Sequence, residues 1–86
     1  MKILMQPITA IVVFDREGHP RPIKFQINNK GKETTIKIDM ICKCEEQHSA
    51  GDKALIYKCQ SLIKGKDVVY ELKYLKTTCK WFLYKI

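Results

Sequence analysis

The chain has 86 residues, 45% of them hydrophobic and 29% charged; a chain of that length holds one core and no second one, and the composition excludes the low-hydrophobicity, high-charge regime of disorder. Sixteen Lys and Arg against nine Asp and Glu leave a net charge of +7, which favours acidic partners such as polyphosphates over cationic ones.

The longest uncharged stretch, Ile3 to Phe14, covers about a dozen residues and contains Pro7, too short to span a bilayer as a helix of about 20 residues. Met1-Lys2-Ile3-Leu4-Met5-Gln6-Pro7 has the basic start of a secretory signal. The residues after it, however, run into a strand pattern where cleavage would fall. The expectation is one small β-barrel domain over 1–86 in the cytoplasm, with no membrane partner and with 1–7 either flexible or an extension of the first strand.

Apolar residues recur at period two almost throughout, and turn-forming residues interrupt them regularly, which predicts an all-β chain. Ile8 to Phe14 is apolar on both sides, as in a strand covered on both faces. Asp15-Arg16-Glu17-Gly18-His19-Pro20 is a polar turn. The second strand sets Ile23, Phe25 and Ile27 against Lys24 and Gln26. Asn28-Asn29-Lys30-Gly31-Lys32 supplies the residues that tolerate positive φ in a hairpin turn. A third strand, Glu33 to Cys44, sets Ile36, Ile38, Met40, Cys42 and Cys44 inward and Lys37, Asp39, Ile41 and Lys43 outward.

Glu45 to Asp52 is polar and predicts a loop. The fourth strand runs from Ala54 to about Ile63, with Leu55, Tyr57, Cys59 and Ile63 on its apolar face. Lys64-Gly65-Lys66-Asp67 turns the chain into the fifth, where Val68, Tyr70, Leu72 and Tyr74 oppose Val69, Glu71, Lys73 and Leu75. The sixth, Cys79 to Ile86, is apolar on both faces. Six strands with hairpin-length links predict an antiparallel meander, since parallel pairs need long crossovers. Curling into an SH3-like barrel or a half-barrel would bury one face and reduce the exposed edges.

Cys42, Cys44, Cys59 and Cys79 have a ligand chemistry that suits zinc, but the spacing departs from the paired knuckles of zinc sites. All four fall on inward faces, which predicts core thiols. Neither His19 nor His48 has a nucleophile predictably beside it, and no phosphate loop or nucleophile elbow is present. The expectation is a non-enzymatic chain that uses no metal and no cofactor.

Lys24, Lys37, Lys43, Lys58, Lys73 and Lys80 lie on outward faces and are the candidate nucleic-acid contacts. Fourteen lysines spread along the chain also suit a solubilising surface. Val69, Leu75, Phe82, Tyr84 and Ile86 are the candidate partner or homodimer contacts, if the second apolar face of the last strand is uncovered.

Arg21-Pro22-Ile23-Lys24-Phe25, Val69-Tyr70-Glu71-Leu72 and Thr78-Cys79-Lys80-Trp81-Phe82-Leu83-Tyr84-Lys85-Ile86 make the chain similar to a small family of uncharacterised bacterial all-β proteins. Some members of that family are associated with Y-family translesion DNA polymerases. The resemblance implies the fold and a supporting role around DNA damage tolerance, with contact to nucleic acid or to a repair or replication enzyme, and it carries no catalytic residue. Asn29-Lys30-Gly31-Lys32 and Thr34-Thr35 depart from the family pattern, which has an aromatic residue before a Gly-Arg turn and a Tyr at the second place.

Overall fold

Alternation at period two gives every strand one face that needs cover. The computed structural model, which describes residues 1–49 and 51–86, meets that need with seven antiparallel strands: β1 (Ile3–Phe14), β2 (Pro20–Asn29), β3 (Lys32–Lys37), β4 (Met40–Ser49), β5 (Asp52–Ile63), β6 (Lys66–Leu75) and β7 (Lys80–Lys85). Their order in the sheet is β3-β2-β1-β7-β6-β5-β4. No helix forms among the described residues.

The long strand β1 belongs to two half-sheets. Residues from Ile3 to Ile8 pair with β7, and those from Thr9 to Phe14 pair with β2. A three-stranded half (the end of β1, β2 and β3) therefore folds over a larger one (the start of β1 with β7, β6, β5 and β4). Phe25 of β2 meets Tyr70 of β6 edge-on, with ring centroids 5.6 Å apart, and the Tyr57 hydroxyl of β5 donates to the Pro20 carbonyl of β2. Trp81 stacks at a tilt on Tyr57 at 5.4 Å and on Tyr74 at 4.7 Å. Leu72, Leu83, Leu55 and Cys59 complete the buried cluster. Full burial of a Leu or Phe is worth about 1.5–3 kcal/mol, so these few side chains supply most of what orders so small a chain.

The predicted third strand is two strands. Asp39 makes the corner between β3 and β4: its carboxylate Oδ2 accepts from the Leu62 amide at 2.7 Å and its own amide donates to the Gln60 carbonyl at 3.0 Å. Ser61 Oγ donates to the Lys37 carbonyl at 2.7 Å, which leaves Tyr70 to donate to Ser61 across 2.6 Å. The chain thus leaves one end of the sheet at β3 and re-enters at the other end as β4. These two strands do not pair, so seven strands replace the expected six and the sheet is not closed into a barrel.

A bulge follows the corner. Ile41 pairs with Cys59 and Lys43 with Lys58, which leaves Cys42 without a partner. The shift of alternation comes earlier, at the Asp39 corner, so that Ile41 packs on the core while Met40 is 56% exposed; the extra residue then restores the expected sides, with Lys43 opposite Lys58 and Cys44 opposite the buried Tyr57. The prediction of four core thiols holds for Cys59 alone: Cys42 sits in the bulge, Cys44 opposes Tyr57 but lies on the edge strand β4, and Cys79 belongs to the turn before β7, and these three are exposed.

Two further expectations are corrected. Glu45 to Ser49 is the end of β4 rather than a loop; an edge strand is solvated on one side, and its polarity reads like that of a turn. Ala50, in the predicted loop, lies outside the described residues. β1 is covered on one face only: Ile8, Ala10 and Val12 pack on the core, whereas Ile11, Val13 and Phe14 are 53%, 45% and 56% exposed. Both expected tight turns form; the positive φ falls on Lys30 and Gly31 and on Lys64 and Gly65, with a lysine rather than an asparagine at the first position, the type I′ form that matches strand twist.

Candidate functional site

Residues directly opposed in an antiparallel pair share a face, so the register fixes what the outer surface of the larger half-sheet presents. One cross-strand row is Lys43, Lys58, Glu71 and Lys85. The next is Glu45, Ile56, Lys73, Phe82 and Pro7, and beside it Leu75 opposes Lys80. Val69 lies on the same face opposite Gln60 and is 39% exposed.

Four of the six candidate lysines, Lys43, Lys58, Lys73 and Lys80, therefore share one surface. Lys24 and Lys37 do not join them. They oppose each other across β2 and β3, with Ile11 next in their row, on the outside of the smaller half-sheet. Within the larger surface Lys43 is taken by Glu45, whose hydrogen bond and charge push the lysine pKa upward.

Tyr84 owes its position to a second bulge. Glu71 opposes Lys85 and Leu72 opposes Leu83, so Tyr84 has no cross-strand partner on β6. Bulges set consecutive side chains towards one side. Accordingly the Lys85 ammonium lies 5.0 Å from the centre of the Tyr84 ring, and that of Lys73 lies 4.8 Å from it. Both are within the range of cation–π attraction. Phe82 and Tyr84 are half-buried, and Leu75 is likewise half-buried on this face. Ile86 lies past β7, exposed, with its backbone tied to Lys2 by two hydrogen bonds of 2.8 and 3.1 Å.

Lys85 is not legible in the sequence as a member of this surface, because strict alternation places it with Trp81 and Leu83 inside. Only the bulge returns it to the lysine face, and period two carries no trace of a bulge. Glu45 and Glu71 are equally invisible as neighbours of these lysines, since cross-strand partners follow from register alone.

The titratable groups elsewhere are arranged differently. His19 Nδ1 approaches Asp15 at 3.4 Å and Glu17 at 3.7 Å, and His48 Nε2 approaches Glu46 at 3.5 Å, all at exposed side chains. Asp15 Oδ1 accepts from the backbone amides of Glu17 and His19, which lowers its pKa and shapes the turn. Burial pushes the Cys59 thiol up to about 12 and keeps it protonated. Among the described residues no three His, Cys, Asp or Glu side chains are grouped to hold a metal ion, and no helix is long and apolar enough to cross a membrane.

No protein-family model, no curated protein and no solved structure matches the chain.

Proposed function

We propose that this chain is a non-enzymatic module of the cytoplasm that holds single-stranded nucleic acid on the outer surface of β4 to β7. The observation that carries the reading is the Tyr84 ring with the ammonium groups of Lys73 and Lys85 within 5.0 Å of its centre, beside Phe82 and within a surface that also holds Lys58 and Lys80. Sequence-tolerant binders of single strands combine the same two elements, aromatic faces on which bases stack and cations that follow the phosphates. Five lysines against two glutamates leave that surface positive. A supporting role beside a DNA-repair or replication enzyme, as the family resemblance suggests, would use the same contact.

Fluorescence anisotropy with a labelled single-stranded oligonucleotide tests it. Each phosphate neutralised contributes about −0.7 to the log–log salt slope, so engagement of three or four lysines should weaken binding by roughly 20- to 50-fold between 50 and 200 mM salt. Tyr84→Ala should cost about 1–3 kcal/mol of affinity if a base stacks there. Absence of binding at the lower salt concentration overturns the proposal.

A second reading, contact with a protein through Val69, Leu75, Phe82, Tyr84 and Ile86, rests on the exposure of Val69 and Ile86. It predicts loss of a partner in Phe82→Lys with little dependence on salt.

A further inference from the structure

Among the described residues, β1 is unpaired along one side over its second half. Its pairing with β7 ends at Ile8 opposite Trp81, and from Thr9 onward it pairs with β2 alone. The place beside Thr9 to Phe14, where β7 would continue, is open. An exposed strand edge of this kind is a template for another strand, and proteins ordinarily guard such edges with charge. The two outer edges of this sheet are guarded: β3 carries Lys32, Glu33 and Lys37, and β4 carries Lys43, Glu45 and Glu46. Thr9-Ala10-Ile11-Val12-Val13-Phe14 carries no charge at all, and Ile11, Val13 and Phe14 stand open to solvent.

The same edge contains both a knob and a hole. Phe14 lies at its far end, exposed and beyond the core. At the near end, where β1 and β7 diverge, a cavity of about 490 Å³ opens between Pro7, Ile8, Ala10, Trp81, Phe82 and Lys80. An antiparallel strand centred on Val12 would place its own residue 14 opposite Ala10, residue 13 opposite Ile11 and residue 12 opposite Val12. Paired with itself in this way the segment is complementary: the largest side chain faces the smallest, and it faces the mouth of the cavity. In the same register residue 15 falls opposite Thr9, so that the Asp15 carboxylate of one copy approaches Lys80 of the other. β3 and β4 offer no comparable self-match.

We propose that a second copy of this chain occupies the open edge, pairing β1 with β1 antiparallel about Val12, each Phe14 inserted between β1 and β7 of the other. Two short strand segments alone bury less than the roughly 1,200 Å² of standard stable interfaces. The two phenylalanines add on the order of 150–250 Å² each, so the dimer is weak and its population depends on concentration.

Sedimentation equilibrium of the full chain across a concentration series tests this. The mass should rise from 10.1 kDa towards twice that value. Val13→Glu sets a carboxylate beside Arg21, its cross-strand partner, so the monomer keeps its fold, which circular dichroism checks. The dimer dissociation constant should rise at least about ten-fold. Phe14→Ala, at a site outside the core, should do the same. Val69→Glu, on the outer face of β6, should leave the dimer intact. A wild type that remains monomeric at about 1 mM, the limit of meaningful affinity, overturns the proposal. So does a dimer that survives both β1 variants, or one that Val69→Glu dissociates.

Discussion

The two half-sheets solve the same problem with unequal means. The larger one covers its inner face with Tyr57, Tyr70, Leu72, Tyr74, Trp81 and Leu83, all buried, and keeps its outer face for lysine and aromatic side chains. The smaller one contributes Phe25, with Pro20 and Pro22 buried beside it on β2; Ile27 and Ile36 pack on the core partly, while Ile11 and Val13 face solvent. One half is therefore a scaffold with a finished core, and the other is a flap whose stability is borrowed through Phe25, the Pro20 carbonyl and the Asp39 corner.

The largest test of that asymmetry is a matched pair of truncations. Leu72→Ala removes a side chain with no exposed area and should cost about 3–4 kcal/mol, within the range for buried leucines. Ile36→Ala, at a half-buried place on β3, should cost about half as much or less. Urea unfolding monitored by Trp81 fluorescence measures both, and equal losses would break the comparison.

Alkaline titration should come next in size. Burial pushes both Cys59 and Tyr70 up to about 12, from ordinary values of 9.0 and 10.0. The folded chain therefore keeps protons that the unfolded chain releases. The stability they contribute is full below about pH 9 and is lost as pH rises towards 12; a tenfold difference in proton affinity is worth roughly 1.4 kcal/mol, so the loss amounts to a few kcal/mol. Thermal midpoints from pH 8 to 11.5 should fall in that window, and Cys59→Ala should move the start of the fall upward towards pH 10. A flat profile would mean that this part of the core admits water.

Ser61→Ala ranks third. It removes the one side chain that joins the Lys37 carbonyl to the Tyr70 hydroxyl across the seam between the halves, leaving the buried hydroxyl and the part-buried carbonyl without this partner at about 1–3 kcal/mol. Adding Tyr70→Phe should recover part of that loss, because one orphaned group disappears with its partner. Failure of the double variant to recover stability would show that the hydroxyls are not coupled.

The legibility of these features in the sequence is limited by what a period of two can encode. The hairpins at Lys30-Gly31 and Lys64-Gly65, the inward Phe25 and the alternation of β5 and β6 come from side-chain order and turn chemistry, and the structure has them where the pattern places them. The corner at Asp39 and the bulges at Cys42 and Tyr84 keep the chain extended while changing the facing of the residues beyond them. Alternation alone misplaces Met40, Cys42 and Lys85 for that reason, whereas Cys44 keeps its expected side opposite Tyr57 and is exposed because β4 is an edge strand. The lysine surface is half legible for a related reason: outwardness can be read along one strand, but Lys24 and Lys37 part from Lys58 and Lys73 only once the strand order is known.

The smallest prediction separates the halves by cooperativity rather than by energy. Gly31 and Gly65 hold φ of 79° and 78° in equivalent two-residue turns, and a Cβ would meet no atom within 4 Å at either. Substitution by Ala costs about 1 kcal/mol at each, purely from the left-handed backbone. The consequences should nevertheless differ. Gly65 joins β5 to β6, the pair that holds most of the core, so Gly65→Ala lowers the global unfolding free energy by its full cost. Gly31 joins β2 to β3, and β3 is a short edge strand with five of its six residues exposed. If β3 opens independently of the rest, the cost of Gly31→Ala falls on that local opening. Amide exchange along β3 should then quicken about five-fold, as 1 kcal/mol implies, while β5 to β7 keep their protection. Uniform acceleration across all seven strands in Gly31→Ala would show instead that the flap and the scaffold unfold as one unit.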